Sequence, residues 1–342
     1  MNNTSPILAV RALDFQWAPR DPFLFCVHHH DNYPRGNGAL GPDTSLAGRE
    51  LGMDFTLRDG WRMYHGHHIP GFPEHPHRGF ETVTIVRTGL VDHSDSLGAA
   101  GRYGGGDVQW LTTGSGVQHA EMFPLLNTDA ENPLELFQIW LNLPAKSKMV
   151  APCFKMLWRE AIPKVTETDV QGNTTTLEIY AGNYGDAAAL PPAPDSWAAD
   201  ADNHVAIWLL RMDPGAEFQL PAAVPGLYRE LFFFDGDTAD IAGQRIERMH
   251  SVELQSERGL NLKAGKSETW VLLLQGRPID EPVAQYGPFV MNTQQEIQQA
   301  FSDYRRTRFG GWPWDQPDHT HGTTRGRFAQ HTDGRVEEPG GL

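Results

Sequence analysis

The chain has 342 residues, more than a single hydrophobic core usually organises, so two domains are expected. Hydrophobic residues make up 39% and charged residues 21%, which is typical of a folded globular protein and excludes a wholly disordered chain. With 28 Lys and Arg against 43 Asp and Glu, the formal net charge is −15, which opposes direct binding to nucleic acid.

Cysteine content and apolar runs bear on the compartment of the protein. Cys26 and Cys153 are too few for a disulfide framework and are expected to be free thiols. The first residues show no basic segment followed by an apolar run, so no signal peptide is predicted. The most apolar stretches, 231–234 and 270–274, fall far short of the ~20 residues that cross a bilayer. A cytoplasmic protein without a membrane segment is expected.

Short strand-like segments separated by Gly, Pro and Asp turns dominate the chain. Alternating or β-branched patterns predict strands at 82–86, 107–111, 134–143, 175–180, 204–211, 227–234, 251–254 and 269–274. Many short strands at such spacing favour barrels or sandwiches over βαβ units. The two halves resemble each other weakly in strand pattern, which fits a duplicated β-barrel.

Three segments depart from this strand pattern. Residues 292–308 form the strongest helix pattern, with Thr293 and Glu296 spaced as a capping box. The Pro- and Ala-rich stretch 187–201 is predicted to be a surface excursion. The residues beyond Gly311 lack an apolar period and are expected to form a flexible tail or a strap over the surface.

Fifteen histidines are many for this length, and most of them are clustered. His75 and His77 precede the predicted strand at 82–86. Residues i and i+2 of a strand point to the same face, so these two imidazoles can converge on one metal ion. His119 and Glu121 repeat the spacing. Both pairs together predict a divalent metal site of three imidazoles and one carboxylate.

The carboxylate of this predicted site has two candidates. Glu81 follows His77 by four positions, and His-x-His-x(3)-Glu is a spacing found in metal-binding barrels of the cupin type. Glu121 follows His119 by two positions. Spacing alone does not choose between them. Because protonated imidazoles do not bind metal, the free histidine pKa predicts metal loss below about pH 5–6.

The other histidines are expected to lie outside the metal site. The isolated His204 and His250 predict that the second half of the chain holds no metal. Residues 28–30 are expected in a loop, and the histidines at 65–68 in a loop near the pocket mouth. The histidines at 319–321 are expected in a solvated tail.

The sequence around these motifs is specific enough to name a family. Four stretches resemble, in order, the N-terminal signature of the pirin family: residues 72–83 (FPEHPHRGFETV), 92–96 (DHSDS), 106–110 (GDVQW) and 119–122 (HAEM). Residues 281–283 (EPV) and 286–293 (YGPFVMNT) resemble its C-terminal signature. The likeness is close over residues 50–145 and 270–310 and looser between them.

The resemblance implies a fold. Pirins are bicupins, so the expected class is all-β, with two cupin-type β-barrels, a C-terminal helix and a flexible tail. The expected boundaries are 1–145 for an N-terminal metal-binding barrel, 153–290 for a C-terminal barrel without metal, and 291–342 for the helix and tail.

The resemblance also implies a cofactor and its ligands. One Fe(II) per chain is expected, and other divalent transition metals can substitute for it. The residues that match the family's ligands are His75, His77, His119 and Glu121. The resemblance therefore favours Glu121 over Glu81.

Some bacterial pirins open flavonols such as quercetin with dioxygen, and other members are non-enzymatic, redox-sensitive transcription co-regulators. The resemblance implies a quercetin 2,3-dioxygenase-like enzyme that takes a flat, flavonol-like substrate and O₂. A flavonol must lose its 3-hydroxyl proton to react, and Glu121 is the hypothesised catalytic base that takes it. The alternatives are a metal-binding regulatory protein with a protein partner, and a cupin sensor or lyase that acts on a non-flavonoid substrate. Candidate walls of an aromatic pocket, each equally suited to the barrel core, are Phe55, Phe80, Trp110, Phe123 and Phe137.

Overall fold

The computed structural model describes residues 5–341, which form two compact units. The first-barrel unit comprises Val27–Arg159 and the chain from Glu281 onward, and the second-barrel unit comprises the chain up to Cys26 and Glu160–Asp280. Antiparallel strands build both units. The predicted all-β class with a C-terminal helix is confirmed.

The strands of the described chain follow one another closely. Up to residue 159 they are β1 (Ile7–Ala12), β2 (Gln16–Trp17), β3 (Phe23–Tyr33), β4 (Gly71–His77), β5 (Phe80–Thr88), β6 (Leu90–Asp95), β7 (Ala100–Gly104), β8 (Asp107–Thr112), β9 (Val117–Met122), β10 (Asn132–Asn142) and β11 (Cys153–Leu157).

From residue 160 to residue 280 the strands are β12 (Lys164–Thr168), β13 (Thr174–Ala181), β14 (Asn183–Tyr184), β15 (Ala187–Ala188), β16 (Ala206–Met212), β17 (Glu217–Leu220), β18 (Tyr228–Asp235), β19 (Thr238–Ile241), β20 (Gln244–Glu247), β21 (His250–Leu254), β22 (Leu260–Ala264) and β23 (Thr269–Gly276). The remaining elements are β24 (Ala284–Tyr286), β25 (Phe289–Met291), α1 (Gln294–Thr307), β26 (Phe328–Gln330) and β27 (Val336–Glu337). Short 3₁₀ turns lie at Ala145–Ser147, Trp197–Ala199, Ala201–Asn203 and Arg308–Gly310.

Two sheets form the first-barrel unit. One runs β11-β8-β5-β10-β3 and the other β27-β26-β7-β6-β9-β4. The middle strands β5 and β8 are buried along almost their whole length, as their β-branched and apolar sequences predict. The second sheet places β4 beside β9, and these strands carry the predicted metal ligands.

Residues 28–30 do not form a loop, so that expectation is wrong, because the three histidines lie within β3. The buried positions there alternate as Val27, His29, Asp31 and Tyr33, so the strand keeps a period of two. Polar residues occupy inward positions, and hydrophobic periodicity therefore cannot reveal this strand.

The helix α1 begins at the predicted capping box. The Thr293 side chain accepts a hydrogen bond from the Glu296 amide, and the Glu296 carboxylate accepts one from the Thr293 amide. Ile297 and Ala300 are buried in an apolar cluster with Phe289 of β25. This packing holds the helix against the first-barrel unit.

Of the two alternatives for the residues beyond Gly311, the structure shows the strap. The strand β26 pairs with β7, and Phe328 and Ala329 are buried. The Arg327 guanidinium donates to both carboxylate oxygens of Asp107, at 2.7 and 2.5 Å. This buried bidentate pair fixes the strap to the barrel.

The second-barrel unit is built around an apolar core. Its larger sheet runs β1-β21-β18-β23-β16-β13-β12, and its smaller sheet runs β17-β22-β19-β20. The inward positions are mostly Leu, Ile, Val and Phe, and they form one buried cluster. The strand β1, from the beginning of the chain, pairs with β21 in this unit.

Within residues 5–341, no helix combines the length and the apolar character that crossing a bilayer requires.

Candidate metal centre

The strands β4 and β9 bring three histidines to one place. They pair antiparallel, with His75 directly opposite His119. The register shifts between Phe72 and His75, which indicates a bulge just before the histidine pair. Directly opposed residues of an antiparallel pair share a face, so His75 and His119 lie side by side.

The three imidazoles are close enough to share one ion. The ring centre of His75 lies 4.4 Å from that of His119 and 4.8 Å from that of His77, and His77 and His119 are 5.0 Å apart. One nitrogen from each ring can be chosen so that all three lie within 4.8 Å of one another. Such a group can bind a metal ion.

Backbone carbonyls select the tautomer of two of these rings. His75 Nδ1 lies 2.8 Å from the Pro73 carbonyl oxygen, and His77 Nδ1 lies 3.3 Å from that of Pro288. Each carbonyl is an acceptor, so each Nδ1 carries the proton and each Nε2 keeps its lone pair. Among the described residues, neither ring nitrogen of His119 has a hydrogen-bond partner.

Burial keeps these rings neutral. It lowers the pKa of His75 to about 4 and the pKa of His77 and His119 well below the usual value. Neutral imidazoles are the form that binds metals, so no proton has to leave at neutral pH. A buried, unpartnered His119 is costly on its own and is explained if an ion engages it.

Glu121 lies beside this group. One of its carboxylate oxygens is 3.8 Å from His119 Nε2 and accepts a hydrogen bond from Gln138 Nε2 at 2.8 Å. The other accepts from the Thr84 hydroxyl at 3.4 Å. Burial raises the pKa of Glu121 above its usual value, so its carboxylate is a stronger base than an exposed one.

The second carboxylate candidate, Glu81, is also buried. It lies on β5, where its carboxylate accepts a hydrogen bond from the Thr112 hydroxyl at 2.6 Å. Both candidate carboxylates therefore lie in the interior of the first-barrel unit.

Two family models match the chain. The model described as Pirin covers residues 43–141, and the model described as Pirin C-terminal cupin domain covers residues 207–310. The chain belongs to the pirin family. The family resemblance read from the motifs is confirmed.

Similar proteins have pirin and dioxygenase names. A Pseudomonas aeruginosa protein named "putative quercetin 2,3-dioxygenase" is 38% identical over 70% of this chain and 79% of its own. Mouse pirin is 35% identical over 70% of this chain and 78% of its own. The crystal structure of quercetin 2,3-dioxygenase from Acinetobacter baumannii has a TM-score of 0.69 and 27% identity, covering 89% of this chain and 98% of that one. This match confirms cupin-type barrels.

The C-terminal signature of this pirin contacts the end of β4, where His77 lies, and the two residues that follow it. The Val290 amide donates to the Arg78 carbonyl at 3.0 Å, just after the Pro288 carbonyl that orients His77. Gly79 has a φ of +87°, and a Cβ built on it would lie 1.9 Å from the Val290 carbonyl oxygen. Only glycine allows this approach. The sequence marks these residues as a motif but does not reveal their support of His77.

Sequence reasoning also missed His93. It lies opposite Glu121 on β6, and its ring centre is 5.6 Å from that of His119. The DHSDS motif is the signal that could have found it.

The expectation of a solvated tail for residues 319–321 is wrong. His321 Nε2 lies 2.8 Å from the His93 carbonyl oxygen, and the His321 amide donates to Asp92 at 2.9 Å. The strand β26 of the strap pairs with β7, and His321, which precedes β26 in the chain, contacts β6.

A hydrogen-bonded relay ends near Glu121. The Tyr64 hydroxyl donates to Asp31 at 2.5 Å, so the 2.8 Å contact between Tyr64 and His29 has His29 Nδ1 as donor. His29 therefore keeps its Nε2 lone pair. His29 and Glu121 line the same cavity of about 10 Å³.

The five aromatic candidates for pocket walls have different neighbours in the structure. Phe123 lines the cavity beside Glu121, and Phe80 packs edge-on against His77 with ring centres 5.1 Å apart. Phe55 contacts Phe72, which the sequence did not single out and which also lines the cavity. Trp110 and Phe137 are buried, and Phe137 stacks on His28.

Proposed function

We propose that this pirin holds one divalent metal ion, iron(II), on His75, His77, His119 and Glu121, and that it opens flavonols oxidatively. The observation that carries the proposal is the group of three neutral imidazoles, half-buried at His75 and buried at His77 and His119. Backbone carbonyls leave Nε2 available on His75 and His77, and within the described residues both ring nitrogens of His119 lack a hydrogen-bond partner. The similarity of the chain to proteins named as quercetin 2,3-dioxygenases supports the choice of reaction.

The ligand set suits a metal of intermediate softness. Imidazole nitrogens and a carboxylate bind iron as well as nickel, copper and zinc, so iron is the proposal and other divalent metals are expected to substitute. When bound, the metal supplies a Lewis acid that lowers the pKa of the flavonol 3-hydroxyl and a template for substrate and O₂.

Glu121 is proposed to accept the proton of the 3-hydroxyl. Its raised pKa makes it a better base, and Gln138 and Thr84 hold the carboxylate in place. General-base catalysis of this kind contributes about 10²–10⁴-fold in rate. His29 lines the same cavity, and its Nδ1 faces the Tyr64 hydroxyl.

The cavity beside Glu121 sets a condition on the substrate. Its volume of about 10 Å³ is far below the several hundred Å³ that a drug-sized ligand needs. A flavonol would therefore have to displace lining side chains, of which Phe72 and Phe123 are the largest. The same side chains exclude water from Glu121, which strengthens its electrostatic interactions.

The test begins with apoprotein loaded anaerobically with Fe(II). Quercetin and air are then added, and the loss of flavonol absorbance is followed together with CO release. The expected result is one O₂ consumed and one CO released per flavonol. Turnover without CO would contradict the proposed ring opening.

Two matched variants distinguish the carboxylates. Glu121→Gln is expected to lower turnover by about 10²-fold or more, whereas Glu81→Gln retains both metal and turnover. Metal content is measured on both proteins by mass spectrometry. If Glu81→Gln loses the metal and Glu121→Gln does not, the assignment of Glu121 is wrong.

The small cavity favours one alternative, a metal-binding regulatory protein without catalysis. A fully metal-loaded wild type that leaves several flavonols unchanged would support it. A metal-dependent change in affinity for a protein partner would then be the activity to measure.

A further inference from the structure

A buried arginine lies inside the second-barrel unit. Arg229, on β18, is 1% exposed, and it precedes Leu231 and Phe233 on the inward face of that strand. Its direct cross-strand neighbour on β23 is Gln275, which follows Leu273 on the same face. One cation and one amide thus continue a row of apolar core residues.

The guanidinium is held in place but not neutralised. Arg229 Nη1 donates to the Pro221 carbonyl at 2.7 Å and to the Ser256 carbonyl at 3.4 Å. Its Nε has no hydrogen-bond partner, and no carboxylate within residues 5–341 forms an ion pair with it. Burial lowers its pKa to about 10, so the side chain stays charged at neutral pH.

Buried charges are normally paired, because removing an ion from water is unfavourable. Gln275 adds a second unsatisfied group: its Nε2 donates to the His204 carbonyl at 3.2 Å, but no described residue forms a hydrogen bond with its Oε1. A fixed, uncompensated cation next to a free acceptor is an arrangement that a ligand would complete.

Both side chains line a cavity of about 460 Å³, which we call the Arg229 cavity. Tyr184, Leu190, Val205 and Trp208 give it apolar and aromatic walls. Its volume lies in the range of small-molecule sites. The acidic residue on its lining is Asp200, which is exposed and accepts a hydrogen bond from the Asp202 amide.

The predicted surface excursion at 187–201 contributes to this cavity. Residues 189–192 and 198–201 belong to its lining. The excursion therefore covers one side of a pocket that the core strands leave open, which gives this Pro- and Ala-rich stretch a role.

We propose that the Arg229 cavity binds a small organic carboxylate, with the Arg229 guanidinium receiving the carboxylate and Trp208 packing against the apolar body. Guanidinium and carboxylate form strong, directional hydrogen bonds. Gln275 Oε1 accepts from a hydroxyl of the ligand where one is present. This site is independent of the metal centre.

The experiment uses the full chain and two probes of equal shape, benzoate and neutral benzamide, in isothermal titration. Wild type is expected to bind benzoate at least about tenfold more tightly than benzamide, the effect of one charged hydrogen-bonded pair. Arg229→Met removes the cation, keeps similar bulk, and is expected to abolish this preference.

Two further variants keep the test decisive. Gln275→Glu retains the guanidinium and neutralises it, so it is expected to lose benzoate binding to the same degree. Arg211→Met, a surface arginine on β16 paired with Glu268, is the matched control and is expected to bind like wild type.

Three results would overturn the proposal. They are equal binding of benzoate and benzamide to wild type, undiminished benzoate binding to Arg229→Met, and no benzoate binding at millimolar concentration. Because Arg229→Met leaves the histidine group unchanged, benzoate that binds at the metal centre would persist in this variant and be recognised.

Discussion

The interiors of the two barrel units differ in what their inward positions carry. In the first-barrel unit, His119 and Glu121 occupy such positions on β9 and meet His75 across the strand pair. In the second-barrel unit, the inward positions of β18 carry Leu231 and Phe233, with Arg229 at the end of the row. A shared barrel architecture therefore holds a metal-type site in one unit and an anion-type site in the other.

This difference shows that the cupin-type scaffold does not itself determine the chemistry. A strand needs only its alternation to fold, and a few inward positions can exchange apolar for polar side chains. Each exchange lowers stability unless a partner or ligand satisfies the polar group. The polar interior positions of both units are therefore the positions to test.

The largest effect is expected at the metal centre. His75→Ala removes one of three imidazoles. Loss of a residue that only hydrogen-bonds to a metal ligand weakens metal binding by about 10–100-fold, so loss of a ligand is expected to weaken it by about a hundredfold or more. Metal content per chain, measured by mass spectrometry, should fall to near zero. His250→Ala, in the second-barrel unit, should keep the wild-type content. Equal metal content in the two variants would mean that His75 is not a metal ligand.

The next effect concerns the strap of the first-barrel unit. Arg327→Ala leaves Asp107 as a buried, unpaired carboxylate, so the free energy of unfolding should fall by about 3–5 kcal/mol. Urea unfolding measures this change. Arg335→Ala, which removes a surface ion pair with Glu337 in the same strap, should cost no more than about 1 kcal/mol. Similar values for both variants would mean that the strap is not fixed by the buried pair.

The pH at which metal is released tests the burial of the histidine group in the first-barrel unit. Because burial lowers the pKa of His75 to about 4, the folded protein keeps this imidazole neutral well below the pH at which a free histidine protonates. The unfolded chain takes up the proton first, so this contribution to stability is lost as the pH falls from about 6.5 towards 4. Metal should stay bound at pH 5.5 and leave as the pH approaches 4.

A chelator titration with circular dichroism at each pH makes this measurement. Release with a midpoint near pH 6.5 in a still folded protein would show that the histidines titrate like exposed ones. The free histidine pKa predicts metal loss below about pH 5–6, so release with a midpoint near pH 6.5 would lie above that range as well.

The smallest effect is expected in the relay behind Glu121. Tyr64→Phe removes the hydroxyl that joins Asp31 to His29, and turnover of a flavonol is expected to fall about tenfold with unchanged metal content. Tyr33→Phe is the matched control, because this buried hydroxyl donates to the Arg62 carbonyl instead. If both variants keep full turnover, the relay has a structural role only.

Local patterns predicted much of the fold. The strand at 82–86 lies within β5, and the capping box starts α1 at the expected residue. The strand carrying His28, His29 and His30 was missed because its inward positions His29 and Asp31 are polar and interrupt the hydrophobic alternation. The strap was ambiguous because β26 is three residues long and depends on its partner β7.

In the candidate site as well, local spacing predicts some features and strand pairing decides the others. Two-residue spacing predicts that His75 and His77 share a face, and likewise His119 and Glu121, because side chains alternate along any strand. It does not state which strands pair, so the roles of His93 and of the Pro288 carbonyl stayed hidden.

Local sequence is enough to specify the strand pattern, the capped helix, the family and the residue types of a metal site, since these depend on neighbours a few positions apart. The pairing of β4 with β9, the cover of β7 by the strap, and the burial of Arg229 without an ion pair to any carboxylate of residues 5–341 are visible only in the folded chain. Those outcomes depend on contacts between residues far apart in the chain, and strand periodicity carries no information about partners.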